Sequence, residues 1–116
     1  MIDWSRIREL RAEIGEDGLA EVVEMFLDEV EQVVMRLREK PEPERLEEDL
    51  HFLKGGAWNL GFAEFGAQCQ HGERLAAAGR AGEVDVAAVT EAYFASKQVF
   101  LEGLAGGAES AAGSAA

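Results

Sequence analysis

The sequence predicts an all-α protein, an antiparallel up-down four-helix bundle with a short accessory helix at its N-terminus. Three observations carry this. The only prolines in 116 residues, Pro41 and Pro43, share one short segment, which leaves long stretches on either side free to be helical. Apolar residues recur at steps of three and four through four long stretches. The connections between those stretches are only a few residues long, and short loops hold consecutive helices side by side and antiparallel.

The accessory helix spans about residues 3–14, with Asp3 as N-cap, Ile7, Leu10 and Ile14 at helical spacing, and Gly15 placed to end it. A long helix over 17–39 sets Leu19, Val23, Phe26, Val30, Val33 and Leu37 on one face and acidic residues on the other. The next begins at Pro43, a residue suited to the first helical position. Glu44, Glu47 and Glu48 follow, where carboxylates suit the positive end of the helix dipole. Its seam of Leu46, Leu50, Leu53, Ala57 and Leu60 runs unbroken to Gly61. A helix over 62–78 has a narrower seam of Phe62, Phe65, Cys69, Gly72 and Ala76, whose small residues imply close packing against a neighbour, and it stops at Gly79. The last, over 85–104, turns Val86, Val89, Tyr93 and Phe100 inward with Phe94 and Leu101 flanking them. Residues 1–104 thus form one domain. Residues 105–116, Ala, Gly and Ser with one Glu, offer little to bury and are expected to be a mobile tail.

Composition narrows the function. The chain carries 23 Asp and Glu against 11 Lys and Arg, net −12, which repels phosphate backbones and anionic lipid headgroups, so nucleic acid and membrane surfaces are not expected partners. The single cysteine, Cys69, makes no intrachain disulfide or thiolate cluster and reads as a buried small residue. Met1-Ile2-Asp3-Trp4 lacks the basic start of a signal peptide, and no stretch approaches the roughly 20 apolar residues that span a bilayer. A cytoplasmic location is expected.

The residues that carry chemistry lie in His51-Phe52-Leu53-Lys54-Gly55-Gly56. Lys54 and Gly55 fall three and four positions after His51 and share a helical face with it, off the core seam, with Trp58 further along the same flank. Two adjacent glycines inside a helix cost about 1 kcal/mol each relative to alanine. Bare backbone beside His51 offsets that cost if a phosphoryl group or a docking protein must approach there. A neutral imidazole has one nucleophilic nitrogen when the other donates its proton, and Lys54 supplies a mobile ammonium for phosphoryl oxygens.

The segment LHFLKGGAWNLG, residues 50–61, resembles the signature of histidine-containing phosphotransfer (HPt) domains of two-component phosphorelays: a His, then Lys and Gly three and four residues on, then Gly ten residues on. Cys69 and Glu73 fall where many such domains carry a Cys and a Glu or Gln on the next helix. The Lys-Gly-Gly-Ala stretch and the Phe after Gly61 are also similar to the phosphoacceptor domain of chemotaxis histidine kinases. The resemblance implies a bundle that presents His51 as phosphoacceptor through Nε2, with Lys54 near the phosphoryl oxygens and Glu73 hydrogen-bonded to the other ring nitrogen. It implies a phosphoryl carrier, not a self-sufficient enzyme, that exchanges phosphoryl groups with response-regulator receiver domains and a histidine or hybrid kinase. No cofactor of its own is implied, the Mg²⁺ being the receiver's. Docking is expected around Phe52, Gly55, Gly56 and Trp58, and a monomer is expected because the four seams can bury one another.

The chain departs from the family at Gly66 and Gly72, where a larger apolar residue is more usual, and at Trp58, where a small one is; the two glycines either loosen their helix or admit a bulky neighbour such as Trp58, which then fills a gap in the core or else enlarges the docking surface. Two other readings compete. Glu48-x-x-His51 matches half of a di-iron bundle site, but the second histidine, His71, has Gln68 at the corresponding place, so no metal is expected. A helical adaptor in which His51 is incidental is the alternative from another class.

Overall fold

The structure, a computed structural model, describes residues 1–106. Its helices are α1 (Trp4–Glu39), α2 (Leu46–Leu60), α3 (Ala63–Ala77) and α4 (Val86–Gly106), with single 3-10 turns at Pro43–Arg45 and Ala81–Glu83. The last helix runs two residues past Leu104, and the remainder of the expected tail, 107–116, lies outside the described residues.

The accessory helix and the first long helix form one run broken at Gly15, whose φ of 78° and ψ of 173° are far from helical and open to glycine alone among ordinary residues. Asp3 caps the start by accepting the Ser5 N–H at 3.2 Å, and Asp85 caps α4 by accepting that of Ala88 at 3.0 Å. Between α2 and α3, Gly61 adopts the left-handed conformation (φ 72°), and the Phe62 N–H closes the turn on the Ala57 carbonyl at 2.8 Å. A Cβ at Gly61 would stand 2.6 Å from the Asp3 carbonyl, because the first residues lie across this turn, with the Asp3 N–H on the Gly61 carbonyl at 2.7 Å.

Every neighbouring pair of helices is antiparallel. Phe26 and Val30 of α1 meet Gly56 of α2, while Arg36 meets Asp49. Trp58 of α2 meets Gly66 of α3, while Leu50 meets Gly72. The core is the expected one in the main: Leu46, Leu50, Leu53, Ala57 and Leu60 are all buried, as are Phe65, Cys69, Val89, Tyr93 and Phe100. The ring of Phe62 packs edge-on to Phe100 (centroids 5.2 Å apart), and Phe100 stacks on Trp4 (5.8 Å), which joins the accessory helix to the bundle. Two details differ from the periodicity. Val34 rather than Val33 is fully buried, the adjacent valines straddling the buried stripe. Leu101 is exposed, because it and Val99 stand about 100° to either side of the inward-pointing Phe100.

One polar contact lies inside the α1–α2 interface. Asp49 is only 5% exposed and takes two hydrogen bonds from the Arg36 guanidinium, at 2.6 and 3.0 Å, a bidentate pairing that removes the cost of burying the carboxylate. The same hydrogen bond raises the Arg36 pKa further. Because the pair is two-pronged and planar, it fixes the rotation of α2 two residues before His51. Replacing Asp49 by Ala leaves the half-buried Arg36 without its main acceptor, and the urea unfolding free energy is expected to fall by about 1–3 kcal/mol. An unchanged midpoint and slope would show that the pair contributes nothing.

Candidate functional site

The buried stripe of α2 settles which way its other residues point. With Leu46, Asp49, Leu50, Leu53, Gly56, Ala57 and Leu60 inward, the 100° step per residue turns Glu48, His51, Phe52, Gly55, Trp58 and Asn59 outward, and all six are exposed. Gly55 is central to this face, His51 and Phe52 lie one turn before it, and Trp58 and Asn59 one turn after. A Cβ on Gly55 would meet nothing within 4 Å, so the backbone there is open to an approaching molecule.

The neighbouring glycine does something else. Gly56 was expected on the docking surface, but it faces α1, where a Cβ would stand 2.8 Å from the Phe26 ring and 2.9 Å from a Val30 methyl. It is buried, and its lack of a side chain lets α1 and α2 approach each other.

His51, Lys54 and Glu73 come together at the α2–α3 boundary. The His51 side chain is 71% exposed, and its Nδ1 lies 2.7 Å from Oε2 of Glu73. A carboxylate can only accept, so Nδ1 is the donor, and in the neutral imidazole Nε2 carries the lone pair. The other carboxylate oxygen, Oε1, holds the Lys54 ammonium at 2.6 Å. Glu73 is thus only 17% exposed yet fully engaged. The Lys54 hydrogen bond is the largest influence and holds its carboxyl below the usual range; burial, the next largest, opposes it, and the His51 hydrogen bond adds to the lowering. One turn before Glu73, burial pushes the Cys69 thiol up to about 12, so it packs as a small neutral group and supplies no thiolate.

The structure also shows what covers the gap at Gly66. The six-membered ring of Trp58 lies over it, so that a Cβ there would stand 2.8–3.0 Å from Cζ3, Cη2 and Cε3 of the indole. Among the described residues no three His, Cys, Asp or Glu side chains gather as a metal site, and no helix is long and apolar enough to cross a membrane.

The family model of the Hpt domain matches residues 21–108. The chain belongs to the Hpt domain family. No curated protein and no solved structure matches it. Hpt domains are phosphocarrier modules of two-component phosphorelays, without a catalytic site of their own, and in general they interact with receiver domains and histidine kinases. In this Hpt domain the matched span contains the whole His51, Lys54 and Glu73 cluster, whereas the accessory helix precedes it.

Two features of the site escaped the sequence. The buried Asp49 was hidden among the acidic residues of the first turns of α2, although its spacing of three from Leu46 and four from Leu53 places it on the apolar seam. The ion pair of Lys54 with Glu73 left no trace in spacing, since the partners lie on different helices.

If Glu73 holds the imidazole, ¹⁵N NMR of the side chain at pH 8 will show the Nδ1–H tautomer in the wild type and exchange between both tautomers in Glu73→Ala; the same shifts in both proteins would mean that the carboxylate does not select the tautomer. Because its folded-state pKa is depressed, the stability Glu73 contributes is present above the ordinary carboxylate pKa, about 4.3, and is lost as pH falls through the lower folded value. The stability difference between wild type and Glu73→Gln is therefore expected to shrink below about pH 4.

Proposed function

We propose that His51 is the phosphoacceptor of this Hpt domain and that it carries the phosphoryl group on Nε2. The observation that supports this most is the hydrogen bond from Nδ1 to Glu73, which leaves Nε2 as the one nucleophilic nitrogen of the neutral ring, on a side chain that is 71% exposed. In the forward step the Nε2 lone pair attacks the phosphorus of an aspartyl phosphate, the Nε2–P bond forms, the P–O bond breaks, and the aspartate leaves as a carboxylate. The ring keeps its proton on Nδ1 and becomes cationic, and the Glu73 carboxylate 2.7 Å away stabilises that charge. Reversal delivers the group to another aspartate. Lys54 is the positioned cation for the phosphoryl oxygens, moving from Glu73 toward the incoming dianion as its flexible stem allows.

The partners are receiver domains of response regulators and a histidine or hybrid kinase, with Mg²⁺ supplied by the receiver. The protein acts as a monomer in the cytoplasm and needs no cofactor of its own. Docking centres on the outward face of α2, where Phe52 (45% exposed) and Gly55 lie beside the histidine. The open backbone at Gly55 lets the receiver's phosphorylated loop come close, as a side chain there would not.

Incubation with phosphorylated receivers or an active kinase is expected to give wild-type protein an acid-labile, base-stable label and to give none to His51→Gln. Label retained by His51→Gln would overturn the assignment. A folded wild type that no donor labels would leave the chain a helical adaptor. Gly55→Leu is expected to fold at least as stably as the wild type, since leucine is the better helix former and the site is open, and to slow transfer from receivers at least tenfold. Undiminished transfer in Gly55→Leu would place docking elsewhere.

A further inference from the structure

Trp58 and Gly66 depart from the usual pattern of the family in opposite senses, large where small is usual and small where large is usual, and in the structure they are in contact. The Cε3, Cζ3 and Cη2 edge of the indole rests on the Gly66 backbone. The atom Nε1 is on the opposite edge, and among the described residues its N–H meets no acceptor. The side chain nevertheless remains 44% exposed, so a partner docking on this face of α2 can cover it. Gly66 thus works as a seat that fixes one edge of the ring while the other faces outward.

What covers it follows from distance. Trp58 is seven residues after His51 on the same helix, about 10.5 Å along the axis. A protein that reaches Nε2 and buries a standard patch, about 800 Å² on each partner, covers a disc of about 16 Å radius. A receiver docked with its patch centred on His51 would therefore lie over the indole. The face between them is open, since Gly55 has no side chain.

We infer that Trp58, seated on Gly66, is a receiver-selecting anchor: it favours receivers that present an apolar shelf for the ring and a hydrogen-bond acceptor for its N–H, and it acts through docking rather than chemistry. This rests on the assignment of His51 as phosphoacceptor. A seated aromatic suits the role because it loses little conformational freedom on binding, and tryptophan is among the residues that most often dominate interface energies.

The test compares wild type, Trp58→Ala, Trp58→Phe and the swap Trp58→Ala with Gly66→Leu, which refills the gap with the larger residue on α3. Two donors are used: a panel of purified receiver domains charged with a small acyl phosphate, and phosphoramidate. In phosphoramidate the N–P bond breaks, the Nε2–P bond forms and ammonia leaves, with no protein docking. Urea unfolding of each variant accompanies the rates. The expected result is that the swap regains stability relative to Trp58→Ala. It is also expected that kcat/KM with the receiver the wild type prefers falls tenfold or more in Trp58→Ala and in the swap, that Trp58→Phe retains an intermediate rate, and that phosphoramidate labels all four alike. Receiver rates in the swap equal to the wild type's across the panel, with His51→Gln inert, would reduce Trp58 to a packing residue and leave the phosphoacceptor reading intact. A swap slowed equally with phosphoramidate would mean that the indole supports the histidine itself. Wild type unlabelled by either donor would overturn the phosphoacceptor reading and this inference together.

Discussion

The close approach of α2 and α3 is the constraint on which the site depends. Two glycines on α3 permit it: Gly72 faces Leu50, and Gly66 faces the indole of Trp58, each at a distance where a Cβ would clash at 2.8 Å. The residues that follow the first of these contacts, His51 and Glu73, are therefore brought within a hydrogen bond of each other. A larger residue at 72 would have to displace the tip of the Leu50 side chain, one position before His51. The geometry of the exposed histidine is thus fixed by apolar packing beneath it.

Electrostatics then completes what packing begins. In a chain of net charge −12, a carboxylate beside the proposed phosphoacceptor would repel an incoming phosphoryl group unless it were compensated. Lys54 compensates it, its ammonium paired with the Glu73 carboxylate at 2.6 Å. On the other side of α2, Arg36 and Asp49 perform a separate task, locking the helix against α1 so that the outward face keeps its direction. One helix is therefore held by an ion pair on one flank and reads out through another on the opposite flank.

The course of the chain was largely legible, since Gly15, Pro41, Pro43, Gly61 and Gly79 punctuate it where the helices begin, break or end, and heptad-like spacing on α2 identifies every buried leucine. His51, Lys54 and Gly55 were legible as one face because they belong to one helix. What lay across helices was not. Gly56 looks the same as Gly55 in the sequence, and only the position of Phe26 and Val30 shows that it serves packing while its neighbour serves access. Asp49 reads as one more surface acid until Arg36, on another helix, is found facing it. Glu73 could be placed against His51 only through the resemblance to the HPt family, since spacing within α3 says nothing about α2. The sequence offered both Gly66 and Gly72 as room for a bulky neighbour such as Trp58, and only the packing across helices shows that the indole covers Gly66 while Leu50 faces Gly72.

If Glu73 decides which ring nitrogen is the nucleophile of the proposed transfer, ¹⁵N and ³¹P NMR of protein labelled in its histidines and phosphorylated by a receiver will show it directly. Coupling of phosphorus to Nε2 of His51, with Nδ1 still protonated, is the predicted result. Phosphorus on Nδ1 of His51, or on His71, would contradict it.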